Sequence, residues 1–275
     1  MAAEVSMLKM AHKINSIGPV NPDGLDDIAE ALLNEKEEKP KPEEKEEIKQ
    51  VVHQPINAIQ NLDRYILLEG RDNGDSCIYP DLLVSMDKSY PRMSWYETHA
   101  ALSREGSYML TIRQFVDFLN VLKSGKAFDG KGNLLGKIES ETLFDEIVAR
   151  ANSGGRSEWL DAKFSRKGLA QRLYITAHNI QSSGISDETT EPLDNCLRWS
   201  RKHGKSGLAI NFWLDSPTLQ GMPRNNAPDG DIYYLRPKNG KVARFSADMD
   251  RVIFNCREDP HLLYPGPGVR PVKLK

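Results

Sequence analysis

The residue types able to do acid–base, nucleophilic or metal chemistry are present in this chain, but they are scattered. Of six histidines, His53, His99, His178, His203 and His261 each stand apart from any base or ligand partner at a useful spacing. Cys77, Cys196 and Cys256 are far apart and odd in number, with no Cys-x-x-Cys pair and no Cys/His group of zinc-ligand spacing. Buried free thiols are the expectation, and a single Cys77–Cys196 or Cys196–Cys256 bridge stays open. Asp72, Asn73 and Asp75 superficially resemble a calcium loop, yet the required glycine and distal glutamate are missing, so a plain turn is expected. Phosphate-loop, dinucleotide, nucleophile-elbow and zinc-protease motifs are all absent. From these residues no catalytic group, metal or cofactor is expected, and the chain reads as a non-enzyme.

Recognition chemistry has a better claim near the C-terminus. Ala243, Phe245 and Ala247, then Val252, Phe254 and Cys256, alternate with Arg244, Ser246 and Asp248, then Ile253, Asn255 and Arg257. Period-two alternation marks strands with one face in a core and the other in solvent. The inward series is uniform, whereas the outward series mixes cation, anion, hydroxyl, amide and aliphatic groups. Such a face is suited to touching a ligand; an ordinary half-solvated sheet is the plainer reading of the same alternation.

The elements that must hold this face follow from local signals. A short N-terminal segment, residues 1–34, has Leu25, Ile28, Ala29, Leu32 and Leu33 at helical spacing, and residues 35–50 form a charged, proline-containing linker. The main domain then spans 51–275. Arg64 to Glu69 reads as a strand. Thr111 and Gln114 fit a capping box ahead of the stripe Phe115, Phe118, Leu119 and Leu122. Ser140 is expected to cap a second helix carrying Leu143, Phe144, Ile147, Val148 and Ala151, stopped at Gly154-Gly155. Trp159 and Phe164 are expected to plug the helix layer, and Asn211 to Asp215 to form a loop with an aromatic anchor. Strands are expected at Leu173–Ala177, Gly230–Leu235, Val242–Ala247 and Arg251–Cys256, with long loops at 181–195 and 215–230. Helices first and strands later indicate an α+β fold, with two helices packed on a small, mainly antiparallel sheet.

Composition narrows the partners. Lys plus Arg number 37 against 39 Asp plus Glu, so no global field draws the protein to nucleic acid or anionic membranes. No apolar run reaches the roughly 18–20 residues needed to span a bilayer. The N-terminal residues carry no ordinary secretion signal, which points to a cytoplasmic or virion-associated protein.

Three short motifs in order give the chain a family likeness. These are Arg156-x-Glu158-Trp159-Leu160-Asp161-Ala162-x-Phe164, Gly230-Asp231-x-Tyr233-Tyr234, and Val242-Ala243-x-Phe245-x-Ala247 continuing to Cys256-x-x-x-Pro260 and Gly268-Val269-Arg270-x-Val272. Together, over roughly residues 62–275, they resemble the target proteins of diversity-generating retroelements, in forms carried by archaea, their viruses and uncultured bacteria. The resemblance implies a C-type lectin fold of the formylglycine-generating-enzyme subtype, with a variable region at about 242–270. It also implies a ligand-binding surface of Arg244, Ser246, Asp248, Asp250, Arg251, Ile253, Asn255 and Arg257, joined by some of Leu262, Leu263 and Tyr264. Adenine-directed mutagenic retrotransposition would rewrite these positions. The ligand would be a protein or a cell surface. Glu258 stands where a basic residue is expected, and His261 where a small one is. Two alternatives share the scaffold: a formylglycine-generating-type enzyme, which needs a close reactive cysteine pair, and a structural virion or adhesin subunit.

Overall fold

A computed structural model describes residues 61–72, 77–149, 156–168, 172–180, 186–197, 207–263 and 267–275. The N-terminal helix and linker, Asn73, Asp75, the Gly154-Gly155 stop and Tyr264 lie outside them.

Ile66 and Leu68 alternate inward along β1 (Tyr65–Leu68), as the sequence suggests. In β2 (Leu82–Ser85) all four residues are buried, because both faces are covered and the usual alternation disappears. The chain's last strand, β10 (Val272–Leu274), returns to β2, pairing Val272 with Val84 and Leu274 with Leu82. The result is a three-stranded antiparallel sheet in the order β1-β2-β10.

Four helices occur among the described residues, not two. Helix α1 (Trp95–Arg104) opens on a capping box, with Ser94 and Glu97 satisfying each other's backbone N–H. Helix α2 (Ile112–Lys123) opens on the box of Thr111 and Gln114, and Phe115, Phe118, Leu119 and Leu122 are all fully buried. Helix α3 (Lys137–Val148) corrects one expectation: Gly136 is its N-cap, and Ser140 lies one turn inside. The Ser140 hydroxyl instead donates to the Leu122 carbonyl at 2.8 Å, occupying an acceptor that the end of α2 would otherwise leave open. The stretch expected as an anchored loop contains the short helix α4 (Ile210–Asp215).

The larger sheet has seven strands: β3 (Arg156–Lys167), β4 (Arg172–Ile180), β5 (Ser186–Pro192), β6 (Ile232–Leu235), β7 (Lys241–Ala247), β8 (Val252–Glu258) and β9 (Pro267–Gly268). Its order is β5-β4-β3-β7-β8-β6, with β9 alongside β3. The neighbours are antiparallel except for β6 with β8 and β9 with β3. The Trp159–Phe164 segment is therefore a central strand and not a plug, and the expected 181–195 loop holds edge strand β5.

Packing explains why β3 reads poorly as a strand. Leu160, Ala162 and Phe164 join the main core, while Trp159 packs with Trp95, Leu102, Met109, Val242 and Val269 in a second, smaller cluster. At the centre of the main core Trp213 stacks on Phe254 at 4.6 Å and donates its Nε1–H to the Gly221 carbonyl at 2.7 Å. Gly221 has φ +84°, and a Cβ there would fall 2.6 Å from the Arg113 nitrogen, so this turn requires glycine. Helices and strands thus mix in an α+β fold, and the layer of α2 and α4 fixes the inner face of β7 and β8.

Candidate functional site

The β7–β8 hairpin presents the outward series to one side of the larger sheet. Phe245 pairs with Phe254 and Ala247 with Val252 on the buried side, while Arg244 pairs with Asn255 and Ser246 with Ile253 on the other. Between Val242/Glu258 and Arg244/Asn255 the register slips by one residue on β8. This bulge leaves Arg257 exposed and turns Glu258 back toward Arg244.

The candidate positions consequently divide. Arg244 forms an ion pair with Glu258 at 2.8 Å, and each side chain is only 12% exposed. Asn255 adds an Nδ2–H donor to Glu258 at 3.1 Å, and its Oδ1 accepts the Arg257 backbone N–H at 2.8 Å. Asp248 builds the hairpin turn, its Oδ1 accepting the N–H groups of Asp250 and Arg251. Asp250, Arg251 and Arg257 are exposed, and Ser246 and Ile253 half-buried. Arg251 lies over the Tyr233 ring at 5.4 Å. In the loop that follows, Leu262 is half-buried and Leu263 exposed, and Tyr264 lies outside the described residues.

Sequence reasoning missed the neighbouring strand's contribution. β6 runs parallel to β8, with Tyr233 opposite Ile253 and Leu235 opposite Asn255. Tyr233 is half-buried and Leu235 exposed, while Ile232 and Tyr234 face the core. That alternation was visible in Gly230–Leu235. Met249, at the hairpin tip, is also exposed. Ser246, Ile253, Tyr233, Arg251, Asp250 and Arg257 make a strip of mixed chemistry suited to contact, with an aromatic ring and two guanidinium groups as anchors.

Elsewhere, two histidines that look isolated in the sequence converge. Asp161 lies where β3 bulges against β7, between Leu160 and Lys163, and its side chain is 1% exposed. Its Oδ2 accepts the His178 backbone N–H at 2.7 Å, and His178 Nδ1 lies 3.1 Å from both carboxylate oxygens. His99, from α1, places Nε2 3.3 Å from Oδ1 without hydrogen-bond alignment. Burial alone would raise the Asp161 pKa, but the two imidazoles outweigh it and hold the carboxyl far below the usual range. His178 moves up: burial opposes its charge, and Asp161 overcomes that.

None of the three cysteines is in a disulfide. The Tyr234 hydroxyl lies 3.9 Å from Cys196 Sγ, and burial, with Cys196 nearby, pushes the Cys256 thiol well up. A thiol so placed is a poor nucleophile at neutral pH. Among the described residues, no helix is long and apolar enough to cross a membrane. No family model, no curated protein and no solved structure matches the chain, so the site is read from its own chemistry.

Proposed function

We propose that the protein is a non-enzymatic binder that recognises a protein or cell-surface ligand through the outer strip of β6, β7 and β8. The observation that carries this reading is the division of labour within one hairpin. Ala243, Phe245, Ala247, Val252, Phe254 and Cys256 are at most 4% exposed, while Ser246, Ile253 and Arg257 alternate with them toward solvent and Asp250 and Arg251 stand exposed at the turn. Replacing a core residue commonly costs about 2–5 kcal/mol, whereas surface changes usually stay within about 0.5 kcal/mol. Recognition residues on such a face can change without loss of the fold. This is what a retroelement-diversified target protein requires.

Two further features support the likeness to those proteins and to the C-type lectin fold of the formylglycine-generating-enzyme subtype. The first and last described strands of the chain meet in one small sheet. The separate motifs also join in space: Arg270 lies 3.3 Å from Glu158, with both side chains almost fully buried, and Val269 packs in the cluster of Trp159. Arg244 and Asp248 are tied into the scaffold, so the recognition set is narrower than the outward register alone implies.

Sequencing the gene's 3′ end and flanking DNA across its source population tests the proposal. Substitutions clustered at codons 246, 250, 251, 253 and 257, traceable to adenines in a nearby imperfect repeat, are the expected result. An invariant 3′ end without such a repeat would remove diversification and leave a fixed binder.

A further inference from the structure

Two imidazoles and a carboxylate meet where α1 crosses the β3–β4 pair, away from the strip of β6, β7 and β8. We propose that His99, Asp161 and His178 form a binding site for a first-row divalent transition-metal ion, with Zn²⁺ as the reference ion. One ligand atom from each residue can be chosen so that all three lie within 4.8 Å of one another. An imidazole–imidazole–carboxylate set suits zinc and its neighbours, and not calcium or magnesium, which take oxygen ligands.

The distances from Asp161 to the two imidazoles match the ligand spacing around a shared ion. Zinc holds nitrogen and oxygen ligands at about 2.0–2.1 Å, so neighbouring ligand atoms in a tetrahedron are about 3.3 Å apart. Asp161 Oδ1 lies 3.3 Å from His99 Nε2 and 3.1 Å from His178 Nδ1. The His99 nitrogen is buried and near the carboxylate, yet misaligned for a hydrogen bond to it. An ion between the three groups would use its lone pair. On binding, the ion takes the place of the proton shared by His178 and Asp161, and that proton leaves to solvent.

The surroundings hold the ligands in place. Asp161 Oδ2 is fixed by the His178 N–H at 2.7 Å, which leaves Oδ1 for the ion, and the Asp161 N–H is tied to the Leu110 carbonyl at 2.8 Å. The His99 ring stands against Trp95, with centroids 4.1 Å apart. Asp161 is buried, while the His99 and His178 side chains are 20% and 31% exposed, so the histidine side of the cluster is the one nearer solvent.

Chelator-stripped full-length protein, titrated with Zn²⁺ by calorimetry and with Co²⁺ by visible absorption, tests the site. The expected result is one saturable ion per chain at this site, four-coordinate cobalt bands and a raised melting temperature. His99→Gln and His178→Gln should each weaken binding at least about tenfold. His261→Gln, which changes a nearby exposed histidine outside the set, should leave it unchanged. No saturable binding by the wild type, or binding of equal strength in His99→Gln, would overturn the site. His99 is partly exposed and makes no aligned hydrogen bond through Nε2, so His99→Gln decides the matter even if His178→Gln fails to fold.

Discussion

Adjacent positions on β8 should differ sharply in what they contribute to stability. Phe254 is 0% exposed, stacked on Trp213 at 4.6 Å and against Tyr234 at 5.6 Å. Truncating such a ring removes its transfer free energy and leaves a cavity between two other rings that cannot easily collapse. Phe254→Ala is therefore expected to cost about 3–5 kcal/mol. The comparison is a fivefold variant carrying Ser246→Ala, Asp250→Ala, Arg251→Ala, Ile253→Ala and Arg257→Ala. Exposed members contribute within about 0.5 kcal/mol each, and loss of the Arg251–Tyr233 contact adds about 0.5–1 kcal/mol. Counting all five positions at that bound, the sum is at most about 3–3.5 kcal/mol spread over five residues, against about 3–5 kcal/mol for the single core change. Urea unfolding followed by tryptophan fluorescence measures both, and each kcal/mol should also shift the melting temperature by about 2–4 °C. If the fivefold variant loses more stability than Phe254→Ala, the outer residues are structural and the binding-face argument fails.

Other expectations follow from single contacts. Arg244→Ala should cost about 3–5 kcal/mol by leaving Glu258 buried without its cation, and adding Glu258→Gln should recover part of that loss in the same urea assay. Gly221→Ala should cost more than about 2 kcal/mol, since the turn needs positive φ and the new methyl meets the Arg113 backbone; an unchanged urea midpoint would refute the geometry. Burial works to raise the Asp129 pKa, but donors from Asn133 and Lys131 outweigh it and lower it below the ordinary value. Its contribution is therefore present above the unfolded value of about 3.9 and is lost as pH falls through the folded one. Asp129→Asn should lower stability at neutral pH by about 1–3 kcal/mol and flatten the decline below about pH 4, read from urea midpoints across that range.

What was legible in the sequence was local. Strands β1, β4, β6, β7 and β8 carry their own alternation, and α2 carries both a capping box and a continuous apolar stripe. Helix α1 has the same box at Ser94 and Glu97, but Thr98 and Ala101 share its buried face with Trp95 and Leu102, so no strong stripe appears. Strand β3 hides for the opposite reason. It is buried on both faces and contains Glu158 and Asp161, charges that look solvent-facing until Arg270, His99 and His178 meet them. Edge strand β5 is polar throughout and held by its backbone pairing to β4, which composition does not reveal. Within the site, the outward register could be read, but the Arg244–Glu258 pair could not, because it depends on a one-residue slip in β8. The His–Asp–His cluster needs three elements to converge and leaves no spacing to recognise.

The slip in β8 also sets where recognition can begin. On the side of the sheet that carries Arg244, Trp159 is already covered by α1 and Val269. Arg244 stands directly opposite Trp159, and its ion pair with Glu258 marks the edge of that cover. Beyond it, Ser246, Ile253 and Tyr233 stay half-open, and Arg251 and Asp250 are exposed. A change at Arg244 must therefore satisfy the Glu258 carboxylate, whereas a change at exposed Asp250 leaves no buried charge unmatched. Variation compatible with the fold should be free across the strip and coupled at its border, so that loss of the cation at 244 occurs only with loss of the acid at 258. A population in which position 244 varies freely over an unchanged Glu258 would mean that the pair adds little stability and that the binding surface extends up to α1.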